Sequence, residues 1–240
     1  MKRLIPLVFL LTACGGTASA SGEVRELRYQ GSAGTVTFPE LAEDLGYLKP
    51  LTLKWIGNTI SGPQDIQAAA TGQTDFGGAF NGAVVKLVAA KAPIKAVISY
   101  YGSDQFAYQG FYVLDGSPIR SARDLIGKKV AMNTLGAHAE AVLKEYLRRG
   151  GLTPAEVEQV QEVVVPPVST EQSLRQRQVD VAALGGVLRD KALERGGLRP
   201  LFRDVDLFGN FSAGTYVLTD RFIARNPGAA RRFVEATARA

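Results

Sequence analysis

The 240-residue chain has one cysteine and one histidine, and these two scarcities remove several classes of function. With a single thiol no internal disulfide can form, so the core must hold the fold unaided. One Cys and one His cannot make a His/Cys metal cluster, the carboxylates show no metal-ligand spacing, and no cofactor is expected. Apolar runs long enough to span a bilayer are also missing: Leu4 to Leu11 is too short. Basic charge is not massed either. The formal net charge is +5, and the pairs Lys128-Lys129, Arg148-Arg149 and Arg231-Arg232 lie far apart without aromatic interleaving, which argues against a nucleic-acid-binding stripe. What is present is a 46% hydrophobic composition, enough for one large domain or two small lobes, with no mark of a disordered or fibrous chain.

Lys2 and Arg3 ahead of Leu4 to Leu11 have the make-up of an export signal. The run ends in Leu11-Thr12-Ala13-Cys14, which resembles the lipobox of bacterial lipoproteins. That resemblance implies removal of residues 1–13 and lipidation of Cys14, and hence a membrane anchor. The alternative is ordinary cleavage near Ala18-Ser19-Ala20. Both place the working protein outside the cytoplasm. Residues 14–22, small and polar after the cysteine, suit a flexible tether. Losing Lys2 and Arg3 lowers the formal charge from +5 to +3.

Beyond the tether, Val24 to Tyr29 and Leu51 to Ile56 read as strands around a helical Thr37 to Leu48, a βαβ opening. Gly62 to Thr71 reads as a helix, Gly72 to Gly78 as the entry to a short strand, Ala83 to Ala90 as a helix and Ile94 to Tyr100 as a strand. The order then recurs. Lys128 to Met132 is a short strand, Asn133 to Gly136 a reversing loop, and the following helix puts Ala139, Val142, Leu143, Tyr146 and Leu147 on one face. A helix start at Thr153, a strand at Glu162 to Val165 and a helix at Ser169 to Arg177 follow. Gly34 and Gly136 are 102 residues apart, and Asp75 and Asp180, each opening an apolar step to glycine, are 105 apart. The offsets predict two lobes on one plan, each an open α/β sheet that binds ligands beyond the carboxyl ends of its strands.

Val113 to Leu152, with Asp115-Gly116-Ser117-Pro118-Ile119, Asp124 to Ala131 and Gly136-Ala137-His138, resembles the substrate-binding proteins of nitrate, sulfonate and taurine ABC importers, a family that includes the THI5-like and NMT1-like pyrimidine binders. The likeness covers about Glu23 to Ala240. It implies a type II periplasmic-binding fold: lobe I over 23–105 and 214–240, lobe II over 106–213, joined by two crossover segments near Ser103 to Phe111 and Asn210 to Tyr216. Relatives continue past this C-terminus, so a truncated end is expected. Within Val113 to Leu152, Ser121-x-x-Asp124 also has the shape of a capping box.

Loops at the strand ends supply the candidate ligand contacts. They are Gly34, Thr35, Ser61, Gly62, Phe80, Asn81, Tyr101, Asn133, Thr134, Leu135, Gly136, Ala137, His138, Gly185 and Tyr216. These loops carry the acidic Asp104 and no Lys or Arg, so an anion such as a sulfonate would be held by backbone N–H groups, hydroxyls and helix ends. The helix after Gly136 offers its first turn for that purpose. An uncharged heteroaromatic ligand could instead stack on Phe80, Tyr100, Tyr101 or Tyr216. Bland readings stand beside these. The glycines permit tight turns, Asn133 and Thr134 fit turn and cap roles, Phe80 and Tyr101 fit core or hinge packing, and Asp75 and Asp180 fit turn braces. His138 reads as a hydrogen-bonding residue at the surface or cleft edge ahead of a catalytic one. The resemblance thus implies a monomeric extracytoplasmic receptor that closes on a small molecule and passes it to permease subunits. An enzyme of the THI5-like kind would be cytoplasmic and would need a cysteine-rich segment that this chain lacks.

Overall fold

Strands alternate with helices in two lobes, the first holding a two-stranded and a three-stranded sheet side by side and the second a single five-stranded sheet. The structure, a computed structural model, describes residues 22–240. The expected leader, Cys14 and all but the last residue of the tether fall outside them. Strands β1 (Glu26–Gly31), β2 (Thr52–Asn58), β3 (Gly77–Phe80) and β4 (Ile94–Ser103) alternate with helices α1 (Phe38–Asp44), α2 (Gly62–Thr71) and α3 (Asn81–Ala89). The chain then crosses to β5 (Gln109–Leu114), β6 (Lys129–Met132), α4 (His138–Arg149), α5 (Pro154–Val157), β7 (Gln161–Val164), α6 (Pro167–Arg175), β8 (Val181–Gly185), α7 (Gly186–Glu194), β9 (Leu198–Arg203) and α8 (Asp204–Phe208). It returns through β10 (Phe211–Thr219) and ends in α9 (Asp220–Arg225) and α10 (Pro227–Arg239).

The five-stranded sheet has the order β7-β6-β8-β5-β9, with β6 parallel to β7 and β8, and β5 antiparallel to both its neighbours. In the first lobe β1 pairs with β2 in parallel, and β10 runs antiparallel between β3 and β4. Asp75 joins these two groups: its N–H donates to Arg28 O (2.9 Å) and its carboxylate accepts from Arg28 N–H (2.7 Å). Asp180 does the same beside β6, its N–H donating to Lys129 O (2.9 Å) and its carboxylate accepting from Lys129 N–H (2.8 Å). The 105-residue offset is therefore a repeated structural brace, in which a carboxylate satisfies a strand N–H that lacks a ladder partner.

Helix α4 buries Ala139, Val142, Leu143 and Leu147, while Tyr146 stacks on Phe202 (3.7 Å between centroids). The first lobe centres on Leu27, Leu48, Phe76, Tyr216, Leu218 and Phe233. Helix α1 is shorter than the predicted Thr37 to Leu48: after Asp44 the chain turns through Gly46 at φ +73°. Close packing against backbone occurs where β3 meets α2. A Cβ on Gly77 would lie 2.5 Å from the Asp65 carbonyl oxygen, a backbone atom that cannot rotate away. Gly77→Ala is expected to lower stability by about 1–3 kcal/mol; a urea midpoint equal to wild type would contradict it.

The loop between β4 and β5 is strapped to the second lobe. Arg189 on α7, itself buried, donates to Tyr108 O (2.8 Å) and Phe106 O (3.0 Å), and its guanidinium lies 4.0 Å from the Tyr108 ring centroid. Asp204, at the first position of α8, holds both ends of the same loop. Its carboxylate accepts from Ser103 Oγ (2.5 Å) and from Gln109 N–H (3.1 Å).

Candidate functional site

A cavity of about 500 Å³ lies between the two lobes, where the carboxyl ends of the parallel strands converge. Gly31, Ser32 and Thr35 follow β1, Thr59, Ile60 and Ser61 follow β2, and Asn133, Ala137 and His138 follow β6 from the opposite side. Two side-chain bonds tie these loops together across the cleft: Asn133 Nδ2 donates to Ile60 O (2.8 Å) and Thr134 Oγ1 donates to Ser61 Oγ (3.1 Å). Ser61 is also the N-cap of α2, its Oγ accepting from Gln64 N–H (3.4 Å). The bridge therefore joins the entrance loops of α2 and α4.

Thr35, Ser61, Gly62, Phe80, Tyr101, Asn133, Ala137, His138, Gly185 and Tyr216 all line the cavity. Five other predicted contacts do not. Gly34, at φ +80°, faces Val168 and Leu188 of the second lobe. Asn81 turns its amide to Ser212 O (2.9 Å). Thr134 is spent on the bridge, Leu135 is exposed, and Gly136, at φ +72°, makes the turn into α4. The first turn of α4, expected to face an anion, carries an acidic residue of its own. Glu140 reaches back to accept from Gly136 N–H and is itself paired with Lys144. A carboxylate thus already stands at the positive end of the helix. Burial opposes its ionisation, but the bonds from Lys144 and Gly136 outweigh that and hold its pKa below the usual carboxylate range.

His138 is buried and not at the surface. As the first residue of α4 it projects from the second lobe against first-lobe rings, stacked on Phe80 (5.3 Å, 12°) and tilted against Tyr101 (5.5 Å). Its Nε2 lies 3.3 Å from the Asp204 carboxylate. Burial pulls the imidazole pKa below its ordinary value, with Asp204 opposing that shift, so the ring packs as a neutral aromatic wall.

The two charged residues of the lining, Asp65 on α2 and Asp204 on α8, were not among the expected contacts. Asp204 is fully buried, and Val205 N–H (2.7 Å) adds a third donor to those from Ser103 and Gln109. Asp65 accepts from Gly78 N–H (2.7 Å) through one oxygen while the other is buried without a partner. Burial, which disfavours the charged form, pushes its pKa up to about 7. Burial likewise raises the Tyr100 phenol to about 12 and moves those of Tyr101 and Tyr216 up, so all three stay neutral. No Lys or Arg lines the cavity among the described residues. A signal for Asp65 existed in the sequence, since it is the sole charged residue of Gly62 to Thr71. Among the described residues no group of three or more His, Cys, Asp or Glu is placed to hold a metal ion, and no helix is long and apolar enough to cross a membrane.

Comparison with known proteins follows this geometry. The profile of the family described as NMT1/THI5-like matches residues 41–240. The periplasmic aliphatic sulphonate binding protein SsuA of Escherichia coli superposes with a TM-score of 0.67 at 24% identity, over 90% of this chain and 70% of that one. For the alkanesulfonate-binding protein SsuA of Xanthomonas axonopodis pv. citri, solved with MOPS, the TM-score is 0.73 at 22% identity, over 91% and 74%. The periplasmic nitrate-binding protein NrtA of Synechocystis gives 0.70 at 15%, over 90% and 61%. These likenesses establish the type II periplasmic-binding fold. A Brucella abortus protein named only as a candidate binding protein is 27% identical over 177 residues, 72% of this chain. The chain spans about half the length of that relative, 52%.

Proposed function

The chain belongs to the NMT1/THI5-like family, and from that premise we propose that it is the extracytoplasmic solute-binding component of an ABC importer. The observation that carries this reading is the cavity of about 500 Å³ between two lobes whose loops bond across it. Such a site can enclose a small molecule, and the enclosed and open arrangements differ enough for a permease to distinguish. Its recognition unit is then lobe I (23–105 and 214–240) against lobe II (106–213), a monomer, anchored through a lipid on Cys14. The chemistry is binding and release, with no covalent step.

Sulfonates are the first ligand class to test, because two of the solved relatives are named for them. Here they would be held by hydroxyls and backbone N–H groups, as no Lys or Arg lines the cavity among the described residues. A planar heteroaromatic is the second reading. It is favoured by the stack of His138 on Phe80 with Tyr101 alongside. Calorimetry and thermal shift against alkanesulfonates, taurine, nitrate and pyrimidines test both, together with native mass spectrometry for a co-purified solute. One-to-one binding without turnover is the expected result; turnover of a bound compound, or no response and no co-purified solute, would overturn the reading.

A further inference from the structure

The deep wall of the cavity has an unusual charge arrangement. Two carboxylates line it and no Lys or Arg does, among the described residues. The two are not equivalent. Asp204 is satisfied by Ser103, Gln109 and Val205 and is committed to the loop it ties. Asp65 has one oxygen on Gly78 N–H and one oxygen with no partner, although the residue is only 9% exposed. A second lining group, the Tyr216 hydroxyl, is also buried without a partner. A buried unpaired carboxylate oxygen is costly to leave unmade and is stabilised most by a charged N–H donor.

We propose that Asp65 is the specificity anchor of the cleft and that it selects ligands bearing a protonated amine or amidinium nitrogen. This deepens the solute-binding reading and rests on it. Both ligand classes named above contain members with such a nitrogen, aminosulfonates and amine-bearing aromatic rings, and the anchor chemistry is the same for both. The titratable groups facing Asp65 are Tyr100 on β4 and Tyr216 on β10, both neutral phenols, with Glu40 of α1 acting on those two phenols from farther away. His138 lines the cavity in its neutral form. A cation at Asp65 therefore meets no competing positive charge. Because burial raises the Asp65 pKa to about 7, cation binding displaces a proton. Affinity should then strengthen as pH rises through that value.

The test uses two matched pairs, taurine against isethionate and benzamidine against benzamide, titrated into wild type and Asp65→Asn between pH 6 and pH 8. Asparagine keeps an oxygen for Gly78 N–H, so the variant should fold, and its urea midpoint checks that. One pair should show a preference of about tenfold or more for the member with the basic nitrogen. Which pair responds identifies the ligand source. Asp65→Asn should erase both the preference and its pH slope. Equal affinity within each pair that binds, or a preference that survives Asp65→Asn, overturns the anchor and leaves the solute-binding reading standing. If none of the four binds, a co-purified solute decides: one with a basic nitrogen that Asp65→Asn loses supports the anchor, and one without overturns it. No probe bound and no solute carried overturns anchor and reading together.

Discussion

Replacing Asp204 by alanine is expected to cost the folded protein about 3–5 kcal/mol, read as a fall in urea midpoint at unchanged m-value. The carboxylate is fully buried and accepts three hydrogen bonds from Ser103 Oγ, Gln109 N–H and Val205 N–H, with His138 Nε2 at 3.3 Å. Truncation removes the buried acceptor that all three donors share. Ser103 ends β4 and Gln109 begins β5, so the damage falls on a segment joining the lobes. Asp204→Asn retains an acceptor for the two backbone donors and should lose less. Equal losses in the two variants would show that the bonds are not what Asp204 contributes.

Phe233→Ala is expected to cost a similar amount, about 3–5 kcal/mol. The ring is fully buried on α10 and packs 4.6 Å from Phe76 and 5.9 Å from Tyr216, measured between centroids. Both neighbours line the cavity. Removing Phe233 leaves a void directly behind the binding wall, so solute affinity should fall along with the denaturation midpoint. Phe233→Leu, which fills most of the void, should recover the greater part of both. A variant with lowered stability and unchanged affinity would separate the helix from the wall that it supports.

The fold was legible because its signals are local and periodic. The α4 stripe from Ala139 to Leu147 repeats every three or four residues, the Gly34 and Asp75 steps return at Gly136 and Asp180, and two copies of the same plan imply two facing lobes. Positions in the loops around Ser61 and Asn133 were legible for the same reason, since a sheet of this kind presents its strand ends to the ligand. The orientation of side chains within those loops was not. Asn81 bonds to a residue 131 positions away and Thr134 to one 73 away, and no local pattern encodes either choice. Glu140 sits three residues into a charged helix face, where nothing distinguishes a solvated carboxylate from one that caps its own helix. Asp204 was invisible because Arg203, Asp204 and Asp206 read as an exposed charged stretch. Its burial arises only where α8 meets the end of β4, a contact spanning 101 residues.

The strap on the crossover loop fixes how the two lobes can move. Arg189 grips Phe106 and Tyr108 from α7 while Asp204 grips Ser103 and Gln109 from α8, so residues 103–109 travel with the second lobe as one rigid piece. Rotation is left to the strands on the far side of Ser103. There the β10–β4 ladder loses register between Ser212 and Gly214 and again before Thr215, opposite Gly102 and Tyr101. Mechanically this is a two-leaf joint whose bracket is fastened to one leaf. On the proposed solute-binding reading, opening and closing of the cleft reduce to a single angle at that joint.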